Sequence, residues 1–411
     1  MKTANEIREA FIQFWTERGH AIIPNASLVP VNDPSLLFVN SGMFPLVPYL
    51  SGQPHPLGKR LCNFQRSIRT MWEDMEEIGD TRHTTCFNMM GNWSLGDYFK
   101  KEQLPWFMEL YVENFGLDPN KIYVSVFKGN EYAPRDEESI QLWKGIFKKY
   151  GIDALETDNP QDVQKNYDKD GTLIKGSTYR IFTYDGKKNW WQRGEAPGEL
   201  GGPTSEMFYD CGAEVPEKYK VSLNINDDSG KFIEVGNSVF MEFYLDNNMN
   251  WKKLPQKNVD FGGGFERVVF CSQEKSDIFD TELYLPAIEV IEEMTGKKYH
   301  KIGEEKRKPY RVIVDHIRAA TFILGDDVIP SNKDQGYILR RFIRRAINFG
   351  KKLKLESGFT AKVADKFIDI LGSIDDYKFL LDKRDFVKNE LTKEEEKFEK
   401  TIIKGVKEVE S

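Results

Sequence analysis

The chain has 411 residues, 40% of them hydrophobic and 13% aromatic, and carries a net charge of −7. It is too long for one core and too apolar for a disordered chain, and charge interrupts any run approaching the roughly 18 apolar residues of a membrane span. The acidic total announces no nucleic-acid partner, so any such contact needs a local basic patch.

Residues 3–18 read as an amphipathic helix. Thr3 and Glu6 have capping-box spacing, Ile7, Ala10, Phe11, Phe14 and Trp15 form one apolar stripe, and Gly19 can end it. Charges within MKTANEIREAFIQFW argue against a signal peptide. Residues 27–50 predict short strands broken by turns, because Pro, Asn and Gly punctuate brief apolar runs. A strand–loop–strand pattern covers 60–99, and a helix from about 101 to 115 should close at Gly116. Alternation over 121–128 predicts a strand. Residues 136–150 form a helical pattern with apolar Ile140, Leu142, Trp143, Ile146 and Phe147. Asp-Gly at 170–171 and 185–186 predicts two hairpin turns. A strand follows at 232–245, residues 259–271 pass from strand through glycines into a helix, and the pattern beyond 278 is mostly helical. The fold class expected is α+β with a helical domain after it. A charged stretch near 300 marks the boundary: 1–250 with a continuation to about 295, then 296–411.

Four groups of residues could carry chemistry. Arg69, with Arg82, His83 and Phe87 beyond it, offers a guanidinium fork for phosphate beside an aromatic platform. If 61–69 and 84–93 pair, Arg69 and Phe87 share one sheet face; surface arginines and a core phenylalanine fit the pattern equally. Asp260-Phe-Gly-Gly-Gly-Phe-Glu-Arg267 combines a carboxylate for an ammonium, glycines that let a ligand approach at Gly262 and Gly264, a helix N-terminus for an anion, and Arg267 in its first turn. It is not a P-loop. Asn189-Trp190-Trp191 can wall a small apolar pocket or belong to an ordinary core. In 330–354, Arg340, Arg341, Arg344 and Arg345 recur at i, i+1, i+4 and i+5 with Lys351, Lys352 and Lys354 beyond, predicting one exposed basic stripe that binds phosphate. Cys62, Cys86, Cys211 and Cys271 form no CxxC pair and only five histidines exist, so no zinc is expected. Scattered thiols suggest a reducing compartment, the cytoplasm.

Four segments resemble the alanyl-tRNA synthetase family in matching order. They are SLVPVNDPSLLFVNSGM (27–43), RHTTCFNMMGNWSLGDYFK (82–100), DFGGGFER (260–267) and DHIRAATFILGDDVIPSNKDQGYILRRFIRRA (315–346). The second and fourth are specific to the alanine family, and the third resembles motif 3 of class II synthetases generally. The resemblance implies an antiparallel class II sheet and a two-step reaction. Alanine and ATP, with Mg²⁺, give alanyl-adenylate, and tRNA(Ala) then takes the alanine. It implies that Arg69 binds the α-phosphate, with Arg82 and His83 also on the nucleotide. Phe87 would stack adenine against Arg267, which also steadies the terminal phosphates. Asp260 and Gly262 would bind alanine, with Trp191 walling the methyl pocket and Asn237 facing the substrate. Asn332 and the arginine stripe would meet the acceptor stem.

Several positions depart from the family pattern. The loop TMWEDMEEIGD is short and lacks the usual lysine and histidine. Thr84 and Asn88 replace a histidine and a glutamate, GELGGP replaces a GPCGP-like turn, and Gly236 stands where a tryptophan is expected. The family's editing and dimerising segments are not seen, so a monomer without proofreading is the expectation. Two other readings stay open: a relative that loads a small amino acid onto a non-tRNA carrier, and a non-catalytic RNA-binding paralogue.

Overall fold

The computed structural model describes residues 1–31, 36–70 and 72–410, with side chains omitted for 72–74 and 405–410. The described chain forms two compact units. One comprises Met1–Pro24, Gly42–Gln65 and Met89–Ser276; the other comprises Asn25–Ser41, Arg66–Asn88 and Asp277–Ser411. A single cut along the sequence therefore does not describe the division, since two early segments belong with the C-terminal helices.

The first unit is built on a sheet whose strands are β1 (Ala21–Ile22), β2 (Arg60–Ile68), β3 (Cys86–Leu95), β4 (Ile122–Phe127), β5 (Leu155–Thr157), β6 (Tyr179–Tyr184), β7 (Trp190–Gln192), β8 (Leu200–Asp210), β9 (Phe232–Leu245) and β10 (Trp251–Gly264), the ends of β2 and β3 at 66–68 and 86–88 counting with the second unit. Their order is β1-β2-β3-β10-β9-β8-β4-β6-β5, with β7 beside β8. The pairs β3–β10, β10–β9, β9–β8 and β8–β4 are antiparallel, while β1–β2, β4–β6 and β5–β6 are parallel. The centre is thus the antiparallel sheet expected, with parallel margins.

Helix α1 (Ala4–Thr16) forms as its sequence predicts, with the reciprocal Thr3–Glu6 capping box and a buried stripe of Ile7, Phe11, Phe14 and Trp15. Helices α2 (Lys100–Glu109) and α3 (Glu137–Lys149) cover one sheet face. Phe107 packs edge-on against Phe261 at 4.7 Å, Trp143 Nε1 donates to Ser205 Oγ at 2.8 Å, and Gln103 Nε2 donates to Ser238 Oγ at 3.2 Å. Strand side chains alternate between faces, so the neighbours Glu206, Asn237 and Asp260 point the other way. Helix α4 (Phe265–Ser272) follows β10 directly.

The second unit is helical: α5 (Leu285–Thr295), α6 (Glu304–Gly325), α7 (Asp334–Lys352), α8 (Phe359–Gly372) and α9 (Arg384–Glu410). Sixteen consecutive residues of α6, Tyr310–Gly325, are buried, which makes it the unit's central helix. Among the described residues no helix is long and apolar enough to cross a membrane.

Two expectations fail. In place of strands, residues 27–50 contain a 3-10 turn, Phe44–Leu46, and a short helix, Val47–Leu50. Pro45 and Pro48 sit at the starts of these turns, where a missing N–H costs nothing. Residues 32–35 of that prediction lie outside the described residues, as does Met71 of the short loop. Asp185-Gly186 makes no hairpin: the Asp185 carboxylate accepts from Lys187 N–H and caps a short helix. Asp168–Thr172 does turn the chain back, bridging Tyr167 to Leu173 with Gly171 at φ +77°.

Candidate active site

In the sheet unit the candidate residues meet on the face opposite α2 and α3. Asp260 on β10 stands between Trp93 of β3 and Val239 of β9 in register. Trp93 Nε1 donates to Asp260 Oδ1 at 2.7 Å. Trp93 is fully buried, and its ring has space because Gly91 lacks a Cβ, which would stand 2.1 Å from it. Trp93 and Val239 belong to an apolar group with Leu46, Leu61 and Met241, and Trp191 packs against its edge. A carboxylate with one donor therefore sits beside apolar Trp93 and Val239, in a group whose edge includes Trp191. Burial drives the Asp260 carboxyl up to about 7, against the opposing Trp93 bond. Sequence reasoning passed over Trp93; the signal was an indole two residues from a glycine in an alternating strand.

Two residues further along the same face is a polar row. Gly262 opposes Asn237, Asn237 opposes Glu206, and Glu206 opposes Ser125. Glu206 accepts from Asn237 Nδ2 at 3.4 Å and from Ser125 Oγ at 3.2 Å. Burial, reinforced by Glu234, pushes the Glu206 carboxyl well above the usual range. Asn189 Nδ2 donates to Ser125 Oγ at 2.8 Å. The side-chain oxygens of Asn237 and Asn189 are buried without a hydrogen-bond partner. Such acceptors are uncommon in native interiors and call for a water or a ligand donor.

The three glycines differ in purpose. A Cβ at Gly263 would meet Tyr111 OH at 2.4 Å, so this glycine serves packing on the helix side. A Cβ at Gly262 would stand 3.0 Å from Met89 Sδ, whereas one at Gly264 would meet Arg267 at an ordinary 3.6 Å. Arg267, in the first turn of α4, donates to Glu234 O at 3.2 Å. Gly236 faces α2, where a Cβ would come within 2.8 Å of Phe107, so the position does not admit a tryptophan without a shift of that ring. GELGGP starts in a turn, with Gly198 at φ +89° and Glu199 N–H on Ala196 O at 3.1 Å, and then runs into β8. Gly201 and Gly202 lie inside β8, and a Cβ at Gly202 would overlap Phe240 O at 1.9 Å.

In the helical unit, Arg69 N–H donates to Thr85 O at 3.0 Å, and the guanidinium lies 5.2 Å from the Phe87 ring centroid. The shared face predicted for these two residues is present. Arg69 is exposed and Phe87 half-buried. Arg82 and His83 are drawn to Asp80, which accepts from both amides at 3.0 and 2.8 Å and from His83 Nδ1 at 2.6 Å. Burial raises the Asp80 carboxyl, but the bonds and charge of His83 outweigh it and hold it at about 2. Asn88, where a glutamate was expected, is buried and accepts from Tyr377 OH.

The exposed arginine stripe is not found. Arg340 is buried, its Nε 2.9 Å from Glu394 Oε1, and it also donates to Asn332 Oδ1. Arg344 Nε shares the same Glu394 oxygen at 2.9 Å. Arg345 donates to His316 Nε2 at 2.8 Å. Arg341 lies over Tyr337 at 5.7 Å. The absence of an interleaved acid on α7 misled the reading, because the acid comes from α9, more than 50 residues away in sequence. Lys333, Lys351, Lys352 and Lys354 are exposed, as is Asn332.

The family model described as "tRNA synthetases class II (A)" matches residues 6–411. An alanine–tRNA ligase from Borrelia hermsii is 41% identical over 408 residues, covering 98% of this chain and 63% of that protein. One from Treponema pallidum is 38% identical over 413 residues, covering 99% and 62%. One from Mycoplasma mycoides subsp. mycoides is 37% identical over 419 residues, covering 98% and 42%. The chain spans less than two thirds of the length of each.

Proposed function

The chain belongs to the class II (A) tRNA synthetase family, and from that premise we propose that it activates alanine with ATP and transfers it to the 3′ end of tRNA(Ala). The observation that carries the choice of amino acid is Asp260. A single buried carboxylate, held by one indole N–H and flanked by Trp93 and Val239, with Trp191 at the edge of the same apolar group, suits an α-ammonium group beside a methyl-sized side chain. Asn237 Oδ1, buried without a donor, supplies a second acceptor for such a cation.

In the first step an alanine carboxylate oxygen attacks the α-phosphorus of ATP, and the bond to the bridging oxygen of pyrophosphate breaks. In the second, a ribose hydroxyl of the terminal tRNA nucleotide attacks the alanyl carbonyl, its proton is lost, and AMP leaves. Arg69 is assigned to the α-phosphate, where it stabilises charge as the bond forms. Phe87 is assigned to adenine, Arg267 to the terminal phosphates, and Gly262 to close approach of the substrate. Among the described residues no group of three or more His, Cys, Asp or Glu is arranged to hold a metal ion. Magnesium favours phosphate oxygens and retained waters, so it arrives with the nucleotide as MgATP. Arg82 and His83 act through Asp80 in this reading, shaping the strand ends.

Asn332 and Arg341 are the residues of α7 and its approach assigned to the acceptor stem. Arg340 and Arg344 act behind them, tied to Glu394. The exposed Lys351, Lys352 and Lys354 supply phosphate attraction.

The test is amino-acid-dependent exchange of labelled pyrophosphate into ATP, run with alanine, glycine and serine. Exchange strongest with alanine is expected. A methyl-sized pocket excludes its nearest competitors only modestly, so weaker exchange with glycine and serine fits. No alanine-dependent exchange would end the reading.

A further inference from the structure

Arg345 lies on the helix assigned to RNA, yet its guanidinium is committed inward. It donates to His316 Nε2 at 2.8 Å, and arginine can only donate. That makes Nε2 the acceptor and places the imidazole proton on Nδ1, which donates to Asp315 Oδ2 at 2.8 Å. Asp315 in turn accepts from Thr85 N–H at 2.8 Å and from Thr85 Oγ at 2.7 Å. Thr85 O accepts from the N–H of Arg69 at 3.0 Å. Donation therefore runs inward from both ends and converges on the Asp315 carboxylate, along a continuous line from the α7 guanidinium to the backbone of Arg69. Thr85, Asp315 and His316 are all buried, so solvent cannot replace a lost partner. The imidazole is further held edge-on to Phe342 at 5.1 Å, and Arg345 lies over Phe349 at 5.3 Å.

We propose that Arg345, His316, Asp315 and Thr85 are positioning residues for amino-acid activation, fixing the strand end that presents Arg69, and that Arg345 is not an RNA contact. An arginine that left this line for a phosphate would strand a buried imidazole nitrogen, which is costly. On the same helix, Arg340 and Arg344 turn to Glu394 instead. The proposal rests on the assignment of Arg69 to the α-phosphate. Its test therefore measures the activation step without tRNA as well as charging with it.

In pyrophosphate exchange without tRNA, Arg345→Ala is expected to lower kcat/KM for ATP about tenfold, with KM for alanine within twofold of the unaltered chain. Arg345→Lys, which restores one donor, is expected to recover part of the loss. Thr85→Val keeps the side-chain shape and removes one bond to Asp315; it should show the same signature at smaller size, and it decides the matter if Arg345→Ala does not fold. Normal exchange with a raised KM for tRNA in charging would make Arg345 an RNA contact and overturn the proposal. Equal losses for ATP and alanine with a lowered melting temperature would reduce the line to structure and overturn it too. If the unaltered chain shows no alanine-dependent exchange, the reading beneath fails instead.

Discussion

A polar row on the sheet and a group of arginines among the helices treat their buried groups in opposite ways. On the sheet, Asp260 has one indole donor, and the side-chain oxygens of Asn237 and Asn189 have none. On the helices, Arg340 and Arg344 share Glu394, Arg345 engages His316, and Arg311 is ringed by Asp277, Glu304 and Tyr299. Unmet acceptors beside apolar walls are what the proposed site for a cationic ligand rests on. Charges answered by partners within the fold mark structure. A count of arginines does not distinguish these cases; the geometry of their partners does.

The contrast can be broken by removing one acid from each unit. Glu394→Ala leaves two guanidinium groups facing each other without their counter-charge, and loss of one partner of a buried pair costs about 3–5 kcal/mol. Thermal unfolding followed by circular dichroism should show a drop of roughly 10 °C, with KM for alanine unchanged in protein that remains folded. Asp260→Asn should do the reverse. It removes a buried carboxylate with little support, so melting should hold or rise. KM for alanine should increase by roughly a hundredfold, the effect of removing about 3 kcal/mol of charge-assisted binding. If Asp260→Asn lowers the melting point and spares KM, the roles assigned to the two regions are wrong.

A gentler change uses pH. The Asp260 carboxyl is raised from 3.8 to about 7 by burial, so in the free protein it gains a proton as pH falls below 7, while substrate ammonium needs the ionised form. KM for alanine should therefore rise roughly tenfold from pH 8 to pH 6, and Asp260→Asn should flatten that dependence. The same shift bears on stability with a definite sign. The folded state holds the proton more tightly than the unfolded state, so this group's stabilising contribution is full below pH 3.8. It is lost as pH rises through 7. A KM that does not change over this range would show that the carboxylate does not meet the ammonium.

Much of this was legible in the linear chain because it depends on local rules. The capping box at Thr3, the alternation of β4, the strand at β9 and the strand–glycine–helix passage at 260–267 follow from local patterns, and the approach of Arg69 to Phe87 is one of two readings that the pattern allowed. The short helices at 44–50 were missed because proline marks helix starts as well as turns. Composition, period and capping pointed to most of the helices and strands and to a candidate carboxylate, glycines and arginines. Only the tertiary structure decided which of them are tied to partners within the fold. Glu394 reaches Arg340 and Arg344 from another helix, Trp93 reaches Asp260 from another strand, and His316 turns Arg345 inward. Partners that meet through folding share no spacing rule along the chain, so no period in the sequence announces them.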